Sequence, residues 1–440
     1  MKYVRYLIAI AIILLGVLPA VLSQSLVNAA TQMLIAVLFA CAFNLLCGQG
    51  GMLSFGHAAY FGVGAFATIH AMGDGSVAGL LPTPMLPLAG ACAGILVGIG
   101  AGWFSTKRSG VYFSMITLAL AELLHSLAPH LKGMFGGEAG ISGMRSPAWG
   151  LSFGTSTQIY YLTLVWVLAS LAVLFLFTRT PVGRLTLALR ENTHRLRFLG
   201  YEVHRLRVLV FVISAMFAGI AGSLQVINNE SANYVVFDSH LSTVVVLNSY
   251  IGGVNVFLGP ALGAAIMTFF GYAVSDLTRS WLLYQGILFV FVMMFLPSGL
   301  SGLRQLWLGV RRSLSVSVLV PIVAFSCVAG LMLIGGVIFS VEILQRIFSQ
   351  DYQSLLVTAG SAAWPSVSLF GCDWPPGSLL TWIVPLVLVI GGSILVKVVK
   401  KKFHTLNEAT ATPDTEIPLP CAAEDLPDIN KLHHVERDSA

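Results

Sequence analysis

Charged residues are scarce in this sequence, at 10% of its 440 residues, whereas hydrophobic residues make up 56%. This balance excludes an ordinary water-soluble domain, because several apolar runs approach the roughly 20 residues that a membrane-spanning helix needs. The composition therefore predicts an all-α fold, a polytopic bundle of membrane helices. The net charge of +5 does not indicate a nucleic-acid partner, since the basic residues are segregated along the chain.

Motifs of enzyme chemistry are also missing. The sequence contains no GxxxxGK[ST] phosphate loop, no HExxH helix and no CxxC pair. The sequence also contains no cluster of histidines and carboxylates that would predict a metal site or an activated nucleophile. We therefore expect a chain that is not an enzyme, holds no metal and binds no cofactor of its own.

Twelve apolar segments are predicted to span the membrane. Strict alternation from an inner N-terminus places 18 of the 24 basic residues on one side. By the positive-inside rule that side is cytoplasmic, so both termini are expected there, with the chain in a bacterial inner membrane and in contact with lipid. A cleaved signal is the alternative for the first segment. The predicted spans are 5–23, 26–47, 58–73, 84–104, 111–128, 158–178, 208–228, 241–257, 259–275, 283–299, 317–340 and 379–396.

Composition also divides the chain into three predicted regions. Residues 1–305 are expected to form the main membrane domain with about ten spans, and residues 306–402 an additional membrane region with about two. Residues 403–440 hold eight carboxylates and scattered prolines. We expect this last region to be a disordered cytoplasmic tail.

The segment 179–207 carries seven arginines and two glutamates between two apolar runs. Burying it in lipid would cost on the order of 20 kcal/mol, so it is expected on the cytoplasmic side. Thr180 can cap a helix that begins at Pro181, leucines recur at helical spacing, and Gly200 can end the helix. The pattern predicts one amphipathic, basic helix. It could dock another protein, anchor the topology or lie on anionic lipid.

Two glycine-rich segments, 48–66 and 252–265, interrupt the apolar pattern. They are predicted to be broken or re-entrant helices that are buried in protein or line a water-filled cavity, with close helix packing through small residues as the alternative. Each contains a Gly-Gly pair, which hints at an internal repeat about 200 residues apart.

A polar stripe marks the span that follows Lys107 and Arg108, and it includes Thr117 and Glu122. Glu122 is the only carboxylate predicted well inside a span, and such a residue is a functional candidate. A structural hydrogen bond is the alternative. Because proton-coupled transporters usually need several buried titratable groups, energy is expected to enter from another polypeptide through the basic segment.

Several ordered motifs together resemble the LivM-type permease subunit of branched-chain amino-acid ABC transporters. The resemblance covers about residues 30–303 and depends on several stretches in the same order. These are Asn44 to Gly62, Ser109 to Ser114, Thr117 to Glu122, Arg190 to Asn192 with Leu199 and Gly200, Phe211 to Gly222, Gly252 to Pro260, and Leu296 to Gly302.

This resemblance implies an importer that works by alternating access. Its expected partners are a second homologous permease subunit, two ABC ATPase subunits that bind ATP and Mg²⁺, a periplasmic substrate-binding protein and a small-molecule substrate. It implies that 190–200 seats in the ATPase and that the glycine breaks border the pathway. The predicted ATPase-coupling residues are Pro181, Arg184, Arg190, Glu191, Asn192, Arg195, Leu199 and Gly200. The candidate pathway residues are Gln49, Gly50, Gly51, Ser54, His57, Thr117, Glu122, Gly252 and Gly253.

The chain also departs from the family pattern. Two further spans and a tail follow the point near residue 300 where the family usually stops, and the resemblance says nothing about them. Similar permeases carry urea, amides or other amino acids, and these substrates are alternatives. A secondary transporter is a more distant alternative.

Overall fold

The computed structural model describes residues 13–73, 81–275, 278–296, 298–303, 316–350, 352–354, 364–369 and 372–410. The start of the first predicted span and residues 411–440 of the predicted tail lie outside these residues, while 13–21 is helical. The chain divides into two compact units, Met1–Trp307 and Leu308–Ala440.

The described part of the first unit is mainly helical. A π-helical turn, Leu45–Gln49, follows its first long helix. The helices are α1 (Gln24–Asn44), α2 (His57–Gly73), α3 (Pro87–Ser105), α4 (Val111–Leu127), α5 (Ser156–Arg179), α6 (Pro181–Glu191), α7 (Thr193–Phe198), α8 (Val203–Asn229), α9 (Ser239–Gly252), α10 (Gly259–Ser275) and α11 (Trp281–Phe295).

Helix α1 lies at the centre of this unit, and α5, α8 and α10 pack around it. Helix α8 also packs against α2 and α3. At Gly64 and Gly219 the α2 and α8 backbones are so close that an added Cβ on Gly64 would overlap the backbone of Gly219. Small residues permit such close approach between membrane helices. The close-packing alternative therefore describes Gly64 of α2.

The loop between α4 and α5 is fastened to the end of α8. Its strand β1 (Ile141–Ser142) pairs antiparallel with β2 (Ser231–Ala232). Arg145 Nε donates to Glu230 Oε1 at 2.8 Å, and Arg145 Nη1 donates to the Ile227 carbonyl at 3.1 Å. The glycine-rich stretch 136–143 thus leads into a loop that is bound to its own chain.

The second unit contains two long helices, α12 (Val316–Ile347) and α13 (Leu379–Thr410), which pack against each other. Between them, β3 (Val367–Leu369) pairs antiparallel with β4 (Cys372–Trp374). The Trp374 indole N–H donates to the Leu369 carbonyl at 3.2 Å, and its ring contacts Phe339 edge-on. Helix α13 extends beyond residue 403, where the sequence predicts the tail to begin.

The described helices confirm the predicted polytopic, all-α membrane bundle. Six are long and apolar enough to cross a bilayer, and three shorter helices are also apolar. The six are Gln24–Gln49, Thr83–Ser105, Ser156–Arg179, Val203–Asn229, Ala324–Ile347 and Leu379–Val398, and the shorter three are Val111–Leu127, Gly259–Ser275 and Trp281–Met294.

Candidate functional site

The arginine-rich segment between α5 and α8 folds as two helices, α6 and α7, which we call the basic helix pair. Thr180 Oγ1 accepts from the Gly183 amide at 3.0 Å, which confirms the predicted N-cap. The prediction of a single helix is wrong. Asn192 adopts an extended backbone, and its Oδ1 accepts from the amides of His194 and Arg195 at 3.0 and 3.1 Å. Asparagine is a strong N-cap residue, so α7 begins anew at this point.

One face of the basic helix pair packs onto the bundle. Leu189, Leu196 and Val203 form a small buried cluster, with Leu185 half-buried beside it. Leu199 continues the leucine spacing but does not join this cluster, and 66% of it is exposed. The reason is that α7 ends at Phe198 and Gly200 follows with φ +84°, which turns the chain out of the helix.

The opposite face presents large apolar side chains among arginines. Phe198 is 91% exposed, and Leu199 and Tyr201 are also exposed. Exposed apolar groups within a charged rim are typical of protein-docking surfaces. Sequence reasoning missed Phe198, because it does not follow the leucine spacing. The other predicted coupling residues on this surface are also exposed: Pro181, Arg184, Glu191 and Arg195.

Arg190 is exposed as well, but its guanidinium makes two hydrogen bonds to the bundle. Its Nη1 donates to the Gly48 carbonyl at 2.6 Å, and its Nη2 donates to Asn255 Oδ1 at 2.9 Å. Gly51 lies against the same residue, since an added Cβ there would be 3.1 Å from Arg190 Cα. One side chain of the basic helix pair therefore holds both predicted glycine breaks.

The two breaks also contact each other. The first is the π-helical turn and the non-helical residues that lead to α2, and the second joins α9 to α10. An added Cβ on Gly48 would overlap both Asn44 Oδ1 and the Val254 carbonyl. Gly253, with φ +102°, is buried beside the Ser298 carbonyl. We call this contact the junction; it comprises Gly48, Gly51, Arg190, Val254 and Asn255.

Gly48→Ala is expected to loosen the junction. The new methyl group would displace Asn44 or the 253–258 turn, so the apparent melting temperature should fall. Gly100→Ala in α3 is the matched control, because nothing lies within 4 Å of its added Cβ. Helical Gly→Ala at an open site is neutral or stabilising. Equal melting temperatures for both variants would contradict the packing at Gly48.

The remaining polar residues predicted near the first break have buried side-chain atoms. Ser54 and Thr117 are fully buried, and Gln49 Oε1 is buried without a partner among the described residues. His57 is 1% exposed, and its Nε2 lies 3.2 Å from Ser214 Oγ. Ser214 donates its proton to the Ala42 carbonyl at 2.6 Å, so its oxygen accepts from an Nε2–H tautomer of His57. His57 thereby ties α2 to α8.

Glu122 is separated from the buried part of its stripe. Ser114, Thr117 and Ala121 face into the chain, whereas the Glu122 side chain is exposed on α4. A carboxylate facing hydrocarbon is costly.

A cleft of about 370 Å³ opens between α1, α8, α9 and α10, and sequence reasoning missed it. No single stretch of sequence indicates the cleft, because each helix supplies only one or two of the polar residues that line it. The lining residues are Gln32, Ile35, Ala36, Phe39, Phe61, Gln225, Asn233, Val235, Val236, Asp238, His240, Leu241, Val244, Val245, Asn248 and Thr268. Within the described residues, no group of three or more His, Cys, Asp or Glu side chains could hold a metal ion.

Comparison with known proteins gives a consistent family. Residues 25–297 match the family described as "Branched-chain amino acid transport system / permease component". This range contains the basic helix pair, the junction and the cleft. No solved structure gives a significant match to the chain.

Individual relatives are permease proteins of transport systems. The chain is 28% identical to the high-affinity branched-chain amino acid transport system permease protein LivM of Salmonella typhimurium, over 65% of this chain and 72% of the relative. It is 28% identical to LivM of Escherichia coli K12, over 68% and 75%. The xylose transport system permease protein XylH of E. coli K12 is 26% identical, over 46% and 60%.

Proposed function

This chain belongs to the branched-chain amino-acid transport permease family, and from that premise we propose that it is the membrane-spanning subunit of an ATP-driven importer. It is a permease component and a multi-pass membrane protein. The finer proposal is that separate ATPase subunits dock on the basic helix pair and drive uptake of branched-chain amino acids. We place the basic helix pair and both termini in the cytoplasm of a bacterial cell, by the positive-inside rule.

The exposed apolar face of the basic helix pair carries this proposal. Phe198 and Leu199 are largely exposed, and burying such side chains in a partner is worth about 1.5–3 kcal/mol each. A helix that only anchored topology would need its arginines but not a projecting phenylalanine. The sequence has no phosphate loop of its own, so ATP and Mg²⁺ would be bound by the partner ATPases.

The junction would connect the docked ATPase mechanically to the membrane helices. Helix α6 follows α5 directly and α7 leads into α8, so movement of the basic helix pair would act on two long helices. Arg190 adds a third connection, because it holds both glycine breaks. We propose that ATP-driven closure of the partners moves this link and alternates access across the membrane.

The proposed assembly contains a second homologous permease subunit, two ATPases and a periplasmic substrate-binding protein. Exposed Glu122 supports the second permease subunit, because a covering chain would remove its carboxylate from lipid. Branched-chain amino acids are the proposed substrates because the two LivM relatives are named for them. The xylose permease XylH is a more distant relative. Uptake of a sugar is therefore the result that would contradict this substrate proposal.

Uptake into vesicles that contain the complete assembly tests the proposal. We expect leucine uptake to require ATP and both ATPase subunits, and to continue when an uncoupler collapses the proton gradient. Xylose, urea and a short amide, each offered in parallel, should not be taken up. Leucine uptake that survives removal of the ATPases but stops with the uncoupler would establish a secondary transporter instead.

A further inference from the structure

Both polar and apolar side chains line the cleft between α1, α8, α9 and α10. Gln32 lines it, and Gln32 Nε2 donates to Asn229 Oδ1 at 3.3 Å. Asn228 Nδ2 donates to Asn28 Oδ1 at 2.8 Å. A cluster of side-chain amides therefore joins α1 to α8 beside the cleft.

Helix α9 gives the cleft its depth. Asp238 and His240 line it at the start of this helix, and Asn248 lines it eight residues further along than His240. That separation is about 12 Å at 1.5 Å per residue. Asn248 is 4% exposed, and its Oδ1 has no hydrogen-bond partner among the described residues. The cleft therefore contains a buried, unpaired acceptor about one helical turn before the second glycine break.

Lipid is an unsuitable occupant for this cleft. Hydrocarbon cannot satisfy amides, an imidazole or a carboxylate, and each unsatisfied group in lipid costs several kcal/mol. The volume of about 370 Å³ lies within the range of small-molecule sites. Water and a small polar solute can satisfy these groups.

We propose that this cleft is a solute-binding site that accepts a small zwitterion with an aliphatic side chain. Asp238 is the one carboxylate among the lining residues and is placed to pair with an ammonium group. Asn248 and Gln225 supply further polar contacts, while Phe39 and Val245 form an apolar wall. The inference rests on the proposed role as a permease and specifies where its solute binds.

Cysteine labelling of the intact assembly in lipid nanodiscs tests whether the cleft is wet. A charged, membrane-impermeant thiol reagent is expected to modify Val244→Cys, which lines the cleft, at least tenfold faster than Val165→Cys. The latter is the matched control, because Val165 is 65% exposed on α5, where lipid or a partner chain would cover it. The unaltered chain gives the background of its native cysteines. Equal, slow labelling of both variants would overturn the proposal.

Protection by solute tests the ligand class. Millimolar leucine should slow the labelling of Val244→Cys severalfold, and xylose should not. Adding Asp238→Asn should abolish protection by leucine while leaving the labelling rate without solute unchanged. Asparagine keeps the N-cap that Asp238 provides to the His240 amide at 2.9 Å, so α9 should begin as before.

The outcomes separate this site from the transport proposal, because labelling needs no ATP. Protection by xylose alone, or leucine protection that survives Asp238→Asn, would contradict the zwitterion site. Normal leucine protection in an assembly whose uptake does not need ATP would leave the site standing and contradict the ATP-driven importer.

Discussion

Phe198→Asp is expected to release the ATPase subunits and to lower leucine uptake more than tenfold. Phe198 is the most exposed large apolar side chain of the basic helix pair. Its burial in a partner would contribute about 1.5–3 kcal/mol, and a carboxylate in the same pocket would add a desolvation cost. Each 1.4 kcal/mol corresponds to about a tenfold change in association. Co-purification of the ATPases and uptake into vesicles measure both effects.

Two control variants test whether the effect requires loss of an apolar side chain at position 198. Phe198→Leu keeps an apolar side chain and should retain most of the association. Met144→Asp changes an equally exposed apolar residue, 87% exposed, in the loop between α4 and α5. It should leave the ATPases bound. Full ATPase stoichiometry and normal uptake for Phe198→Asp would remove the docking assignment.

Arg190→Ala is expected to separate ATP hydrolysis from transport. The variant loses two charge-assisted hydrogen bonds, to the Gly48 carbonyl and to Asn255 Oδ1. The part-buried bond to Gly48 is worth roughly 1.5–3 kcal/mol and the exposed bond to Asn255 less, so we expect uptake to fall at least tenfold. Because the exposed apolar side chains of Phe198 and Leu199 are unchanged, the ATPases should stay bound. The number of solutes imported per ATP hydrolysed is the measurement.

The controls for Arg190 lie on the same stretch of chain. Arg190→Lys retains the charge but cannot reach both acceptors, so partial activity is expected. Arg205→Ala removes an exposed arginine paired with Glu202, and exposed pairs contribute only about 0–1 kcal/mol. Its transport should stay within about twofold of the unaltered protein. If Arg190→Ala imported the normal number of solutes per ATP hydrolysed, the junction would not transmit work from the ATPases.

The junction also changes which variants test docking. The sequence predicts that Arg190 and Arg195 both face the ATPase. Reversing both charges together would therefore be the test of docking that the sequence alone suggests. Because Arg190 bonds within its own chain, that double variant would disturb the breaks and the docking surface together. Separate changes at Phe198 and Arg190 distinguish the two roles.

The parts of the fold that follow from strong local physics could be predicted. Long apolar runs can only be membrane helices, and Thr180 with Pro181 marks the start of α6 because both positions suit an N-terminus. The break at Asn192 was readable in principle, since asparagine caps helices well. The leucine periodicity on both sides of it favoured one continuous helix, so the local cap was missed.

The inward turn of Arg190 could not be predicted, because it depends on tertiary proximity. Its two acceptors are 142 and 65 positions away in the chain, and no local pattern selects them from other carbonyls and amides. The cleft was missed for the same reason. The sequence marks Glu122 as a functional candidate, but helical spacing alone does not show that it lies outside the buried part of the α4 stripe.

The side of the membrane on which Phe198 lies tests the central claim most directly. Phe198→Cys should react with an impermeant thiol reagent in inside-out vesicles, stay unmodified in sealed right-side-out vesicles, and be protected when the ATPase subunits are bound. Reaction from the outside of right-side-out vesicles, with no protection by the ATPases, would contradict a cytoplasmic docking surface that transmits work through Arg190.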